Sequence, residues 1–282
     1  MISMTTDYVT SIGCPEPYLR RIAEAGYTHV HWCHHWADDF VYSRPEVSQI
    51  KRWLKELGLG VTDIHGSGGN EKLWMAPEEY SRKAGVELVA NRIRMAARLG
   101  SDVVIMHIPQ LGDPAEDPNK QWEPTRRTFE DLEPIARKCG VRIAIENIIG
   151  SSFDDFDHVF SLYPPDYIGL CYDSGHGNCH NAIEHLDKVK DRLISLHLHD
   201  NDGKGDQHQI PFQGTVDWPR LAQIIAQSPY GKWVSMESIM ANTGIQDEAE
   251  YLARAYDAGT RFSQMIAQAR GEESPNSAPG SK

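Results

Sequence analysis

The sequence predicts a single-domain (β/α)8 barrel, and three observations support this fold class. Short apolar or alternating runs are each followed by a longer segment with apolar residues at helical spacing, and the alternation repeats eight times. Joins from helix to strand are two or three residues long, whereas several joins from strand to helix reach ten or more. Reactive side chains also end six consecutive predicted strands. A doubly wound open sheet is the alternative, but its GxGxxG motif does not occur in the sequence.

Each element is predicted from its local pattern, taken in chain order. The predicted strands cover residues 8–13, 28–34, 60–66, 102–108, 141–147, 168–173, 193–199 and 233–238. The predicted helices cover residues 15–25, 45–57, 77–99, 124–139, 154–162, 181–190, 216–227 and 247–270. Pro45 and Pro77 are typical of a first helical turn, and Gly58 and Gly100 are typical of helix ends.

Size and composition fit one globular domain. The 282 residues include 40% hydrophobic residues, which is enough to fill a barrel core of the usual length of about 250 residues. We expect this domain to span residues 1–270, and the Gly-, Pro- and Ser-rich segment 271–282 to be a disordered C-terminal tail.

Charge and cysteine content limit the class of partner. The formal net charge of -12, from 28 Lys+Arg against 40 Asp+Glu, disfavours nucleic acid. The five cysteines are scattered and form no CxxC motif, and the N-terminus lacks the apolar core of a signal peptide. We therefore expect a reduced, cytoplasmic protein that does not bind a membrane.

Metal-binding residue types are concentrated where the strands end. Along the seventh strand, His197 and His199 alternate with apolar residues and therefore face the same way. Asp206 and His208 follow in the next loop, and His176 lies three residues after the sixth strand. The residues at six consecutive strand ends are His65, His107, Glu146, Asp173, His197 and Glu237. Because a buried charge is costly unless it is paired or metal-bound, this recurrence predicts a metal centre at the face where barrel enzymes build their active sites.

Six segments carry a resemblance to a known family. They are LGVTDIHG, AARLGSDVVIMH, IAIEN, CYDSGH, HLHDN and VSMES, within residues 8–265. In this order they resemble the sugar phosphate isomerases and epimerases with the xylose isomerase-like TIM barrel. The resemblance implies one divalent ion (Mn, Mg, Co or Zn) with the ligands Glu146, Asp173, His197 and Glu237. His197 is preferred to His199 because the family's histidine precedes an acidic residue by three, as His197 precedes Asp200.

The resemblance also implies a reaction, which is isomerisation or epimerisation of a sugar, sugar phosphate or related polyol ketone. The metal would polarise the substrate carbonyl and stabilise an enediolate. We expect Glu146 and Glu237 to act as the acid/base pair, and His176 to orient a substrate hydroxyl. The residues expected to contact substrate are His65, His107, Trp32, Trp122, His199 and His208. The loops after strands seven and eight lack a Gly-rich phosphate motif, which favours an unphosphorylated sugar, inosose or keto-glycoside.

Other functions stay open at this point. A lyase or dehydratase acting on a keto-sugar or inosose would use the same enediolate and expel a β-leaving group. The chain also resembles metal-dependent apurinic/apyrimidinic endonucleases, whose three-zinc cluster would use additional ligands here. The positions matching those ligands are His65, His107, His176, Asp206 and His208. The excess of acidic residues favours a small carbohydrate over nucleic acid as the partner. A sugar-binding module with a bound metal is a further possible function. The protein could also form a homo-oligomer.

Overall fold

The computed structural model describes residues 1–108 and 118–272, with side chains to residue 108 and from residue 122 onward. The strands are β1 (Ile2–Thr5), β2 (His29–Trp32), β3 (Gly60–His65), β4 (Val103–His107), β5 (Arg142–Glu146), β6 (Ile168–Asp173), β7 (Leu193–His197) and β8 (Val234–Met236). All pairings are parallel, in the order β7-β6-β5-β4-β3-β2-β1-β8. The Leu198 N–H donates to the Ser235 carbonyl over 2.9 Å and closes the ring just beyond β7. The prediction of a single-domain (β/α)8 barrel is confirmed.

Helices cover the outside of the barrel. They are α1 (Glu16–Glu24), α2 (Arg44–Leu57), α3 (Glu79–Leu99), α4 (Pro118–Cys139), α5 (Phe153–Leu162), α6 (Ser174–Cys179), α7 (Ile183–Val189), α8 (Trp218–Gln227) and α9 (Glu248–Ala269). Short 3-10 turns occupy Lys190–Arg192 and Met240–Asn242. Helix α2 shows why the boundaries were predictable, because Ser43 and Glu46 form a capping box and Gly58 ends the helix at φ 70°.

The prediction of a first strand at residues 8–13 is wrong. The strand that pairs with β2 and β8 is β1, several residues earlier. The Tyr8 ring lies instead 5.9 Å from that of Tyr251 and 6.0 Å from that of Tyr18, in the loop beyond the strand. The alternation of Ile2 and Met4 with Ser3 and Thr5 fits a strand, but the run is only four residues long, whereas residues 8–13 contain more of the residue types that favour strands, namely Tyr8, Val9, Thr10 and Ile12.

The barrel interior is filled rather than open. On β4, β5, β6 and β7 the interior faces carry apolar side chains beneath the reactive strand ends. The buried cluster consists of Val103, Ile105, Ala144, Cys171 and Ile194. This packing fills the barrel below the strand ends.

Some predictions fall outside the residues that can be described. The Pro- and Asp-rich loop after the fourth strand includes residues 109–117, and the expected tail continues beyond Glu272. In the two ranges that are described, no helix has both the length and the apolar character needed to cross a bilayer.

Candidate metal centre

The predicted reactive residues lie at the carboxyl ends of the strands. His65, His107, Glu146, Asp173 and His197 are each the last residue of a strand. Glu237 directly follows β8. Because the strands are parallel and the sheet is closed, these six side chains meet at one face of the barrel.

Glu146 is the central carboxylate of the group. Its Oε1 lies 3.0 Å from His197 Nδ1, and that same ring nitrogen lies 3.2 Å from Glu237 Oε1. Its Oε2 lies 3.3 Å from His107 Nε2 and 3.7 Å from His65 Nε2. Glu146 therefore connects a carboxylate-rich half of the site with a pair of imidazoles.

Asp173 organises the other half. It caps α6 by accepting the His176 backbone N–H at Oδ1 over 2.6 Å. The same oxygen lies 3.0 Å from His199 Nε2 and 3.4 Å from His176 Nδ1. Asp206 Oδ1 is 3.3 Å from His176 Nε2 and 3.0 Å from His208 Nε2. Ligand atoms of His176, His199, Asp206 and His208 all lie within 4.8 Å of one another.

Two of the buried carboxylates at strand ends, Glu146 and Asp173, have lowered pKa values, which favours their ionised forms. Burial by itself would raise the pKa of Glu146, but the charges of His197 and His107 hold this pKa well below its usual range. Burial also opposes ionisation of Asp173, and His176 with His199 brings its pKa to about 2. The site therefore presents fixed negative charge beneath the cavity.

The neighbouring imidazoles respond to this charge. Burial lowers the pKa of His197, but the two adjacent glutamates outweigh it and raise that pKa to about 9. Burial is likewise outweighed at His176, where Asp173 and Asp206 raise the pKa to about 11. In contrast, burial and the nearby His107 hold the pKa of His65 well below its usual value. A bound cation would replace the imidazolium protons as the counter-charge of the carboxylates.

The residues present fit a divalent cation. Among the expected ligands, Glu146 Oε2 and Asp173 Oδ2 are buried oxygens without a hydrogen-bond partner in the described part of the chain. Leaving a buried polar atom unpaired costs about 1–3 kcal/mol, and coordination would remove that cost. Carboxylate oxygen with imidazole nitrogen is a donor set suited to Zn2+, Mn2+ or Co2+.

A cavity of about 410 Å³ opens above these groups. Its lining consists of Asp7, Cys33, Trp36, His65, His107, Glu146, Ile148, Ile149, His176, Asp206, His208, Glu237 and Ile239. No Lys or Arg is present in this lining as far as the described side chains go. The cavity thus combines acidic and imidazole groups with one indole and three isoleucines.

The residues predicted to contact substrate do not all reach the cavity. His65, His107 and His208 line it, whereas His199 is fully buried and its ring stacks 3.8 Å from that of His208. Trp32 is fully buried in the core, where its Nε1 donates to Tyr42. Trp122 packs partly buried against the core, 5.2 Å from the His158 ring.

Trp36 is one of four tryptophans in or beside strand-to-helix segments that the sequence offers for packing on a sugar, whereas His31 and Asp63 were not singled out as site residues. Trp36 lines the cavity with its ring 4.6 Å from that of His65. His31 and Asp63 form a buried pair beneath Glu237. A usable signal existed for Asp63, because it lies two residues before a strand-end histidine and so shares its face.

Known proteins similar to the chain share this fold. A family model described as xylose isomerase-like TIM barrel matches residues 19–255. An uncharacterized protein of Sinorhizobium fredii is 31% identical, with 89% of each chain covered. The fructoselysine 3-epimerase of Shigella flexneri is 22% identical over 58% of this chain and 62% of its own length. The inosose dehydratase of Lacticaseibacillus casei is 21% identical over 42% of this chain and 47% of its own. A crystal structure of a D-tagatose 3-epimerase-like protein matches with a TM-score of 0.77 at 16% identity, covering 95% of this chain and 98% of that one.

Proposed function

Because the chain belongs to the xylose isomerase-like TIM barrel family, we propose that it is a divalent-metal-dependent isomerase or epimerase of an unphosphorylated sugar or related polyol ketone. The observation that carries the proposal is the convergence of two carboxylates, Glu146 and Glu237, on the single nitrogen His197 Nδ1 at the barrel mouth. Two carboxylates at one cavity floor are the groups that proton removal and return at a sugar carbon require.

Four residues would hold the ion. They are Glu146, Asp173, His197 and Glu237, and Glu146 and Asp173 each have a buried oxygen without a hydrogen-bond partner among the described residues. A bound divalent ion would supply Lewis-acid polarisation of a substrate carbonyl, which acidifies the neighbouring C–H. Such a cation also offsets the fixed negative charge of the site.

The protein's own groups would move the proton and place the substrate. We assign proton removal and return at the carbon next to the carbonyl to the Glu146 and Glu237 carboxylates. His176, held between Asp173 and Asp206, would orient a substrate hydroxyl. Trp36 and Ile239 would pack against the C–H face of the sugar and exclude water.

The lining of the cavity supports an unphosphorylated substrate. Its charged groups are carboxylates and imidazoles, and the side chains described there include no guanidinium or ammonium. A phosphate dianion would face Asp7, Asp206 and Glu237 without a bidentate cationic partner. A ketose or inosose instead offers hydroxyls that carboxylates and imidazoles can bind.

The test is a screen of free ketoses and inososes in D2O with the metal-loaded protein. A proton-transfer isomerase gives an isomeric product that carries deuterium at the reacting carbon, so the product is heavier than the substrate only by the incorporated deuterium. Glu146→Gln and Glu237→Gln should each lower kcat/KM by at least about 100-fold. Glu87→Gln, which changes an exposed glutamate on α3, should leave the rate unchanged. Full turnover by both site variants would contradict the proposal. A product lighter by one water would identify a dehydratase.

A second candidate is supported by a specific observation. Besides the ligands above, His176, Asp206 and His208 are clustered, and so are His65, His107 and Glu146. A multi-zinc phosphodiesterase would need such additional positions. Elemental analysis distinguishes the two functions, because close to three zinc ions per chain together with nicking of abasic DNA would support the phosphodiesterase.

A further inference from the structure

A second group of donors lies directly behind Glu237, on the side of β2. Cys33, a free thiol, places its Sγ 2.8 Å from His31 Nε2, and that nitrogen lies 3.3 Å from Glu237 Oε1. The three ligand atoms lie within 4.8 Å of one another, and all three residues are buried. The group therefore combines one sulfur, one nitrogen and one oxygen donor.

The orientation of His31 is set from below. Its Nδ1 is hydrogen-bonded to Asp63 Oδ1, and the second oxygen of Asp63 accepts from the Ser195 hydroxyl. The Asp63 carboxylate accepts the hydrogen bond from the Nδ1–H group, which orients Nε2 of the His31 ring toward Cys33 and Glu237. A carboxylate on the far nitrogen is the support that metal-binding histidines usually have.

Two of the donors are accessible from the cavity, and a nitrogen of the neighbouring His197 has no hydrogen-bond partner among the described residues. Cys33 and Glu237 both line the cavity, so a cation can reach them from that side. The His197 ring lies 4.1 Å from the His31 ring, and one of its nitrogens is within 4.8 Å of ligand atoms of His31 and Asp63. Nε2 of this fully buried His197 has no hydrogen-bond partner among the described residues.

We propose that His31, Cys33 and Glu237 form an additional cation position that selects a thiophilic divalent ion, with Zn2+ preferred to Mg2+. Thiolate and imidazole donors suit zinc and cobalt, whereas magnesium requires oxygen ligands. On binding, the Cys33 S–H bond is replaced by an S–metal bond and the proton leaves to solvent. The position shares Glu237 with the proposed catalytic ion, but it does not depend on which reaction the protein catalyses.

The test is the absorption spectrum of the full chain titrated with Co2+, which serves as the spectroscopic probe for zinc. Binding at Cys33 gives a thiolate-to-cobalt charge-transfer band in the near ultraviolet, which the proposed Glu146, Asp173 and His197 ligands cannot produce. We expect the band in the wild type, its loss in Cys33→Ser and its displacement by Zn2+ but not by Mg2+. Cys179→Ser is the matched control, because Cys179 is the cysteine beside His176 and Asp206, and this variant should keep the band.

Two outcomes overturn the proposal. One is wild-type protein that binds Co2+ without the band, and the other is a band that survives in Cys33→Ser. If Cys33→Ser does not fold, Asp63→Asn replaces it: the band should need about 10–100-fold more Co2+ to saturate, and unchanged affinity overturns the proposal. The sugar-isomerase function is tested separately by deuterium incorporation with Glu146→Gln. The failure of the cation position can therefore be told apart from the failure of the isomerase function.

Discussion

At the scale of single residues, one atom of the site often contacts two or more partners. Asp173 caps α6 through the His176 N–H, and the same oxygen faces His199. Gly175 lies between these contacts, and a Cβ at this position would fall 2.1 Å from the His199 ring. The glycine in Asp-Ser-Gly-His is therefore required by the close approach of a buried imidazole.

We predict that Gly175→Ala lowers the free energy of unfolding by about 1–3 kcal/mol, because the added methyl group displaces His199 from a packed site. Urea denaturation measures the change. Gly205→Ala is the matched control, since a Cβ there meets no atom within 4 Å. Equal stability of the two variants would contradict the close approach.

The strand-end residues could be predicted from the sequence because a single local pattern marks them. Strand periodicity with terminal His, Asp or Glu needs no knowledge of packing, and it correctly located His65, Glu146 and Asp173 at strand ends. The burial of Trp32 was not predictable in this way. An indole at a strand end points either to the cavity or to the core, and only the packing of the next loop decides between them.

At the scale of elements, the loop between β2 and α2 is held against α3. Arg92 donates to the His35 carbonyl over 2.9 Å and lies 4.5 Å from the centre of the Tyr42 ring. Asn91 pairs with both the N–H and the carbonyl of Tyr42. This anchoring positions the loop that carries Trp36 to the cavity.

We predict that Tyr42→Phe lowers the free energy of unfolding by about 1–3 kcal/mol. The Tyr42 hydroxyl accepts from Trp32 Nε1 over 3.0 Å and donates to the His34 carbonyl over 2.9 Å. Removal of this hydroxyl leaves both buried groups unpaired, and thermal unfolding measures the cost. Tyr80→Phe, at a residue that is 91% exposed, should be neutral, and a neutral Tyr42→Phe would refute the anchoring role.

At the scale of the whole molecule, negative charge is both global and local. The formal net charge is -12, and ionised Glu146 and Asp173 lie at the barrel mouth. A cation bound in the folded barrel finds these ligands together, whereas the unfolded chain separates them. Metal binding should therefore stabilise the fold.

We predict that metal at 100 times its Kd stabilises the protein by about 2.7 kcal/mol, which corresponds to a rise in Tm of roughly 5–10 °C over chelator-treated protein. Differential scanning calorimetry with and without chelator measures the shift. The rise should be much smaller in Glu146→Gln than in Glu87→Gln. A Tm that is insensitive to every divalent metal would contradict the proposed centre.

The sequence alone determined the barrel, the order of its strands along the chain and the residues at most strand ends, because local periodicity and caps encode these features directly. Tertiary structure decided which of those side chains contact one another. Glu146, His197 and Glu237 are far apart in the chain and meet only when the ring of strands closes. It also decided that Asp63 supports His31 beneath the cavity. Contacts between strands depend on register and closure, which no local pattern specifies.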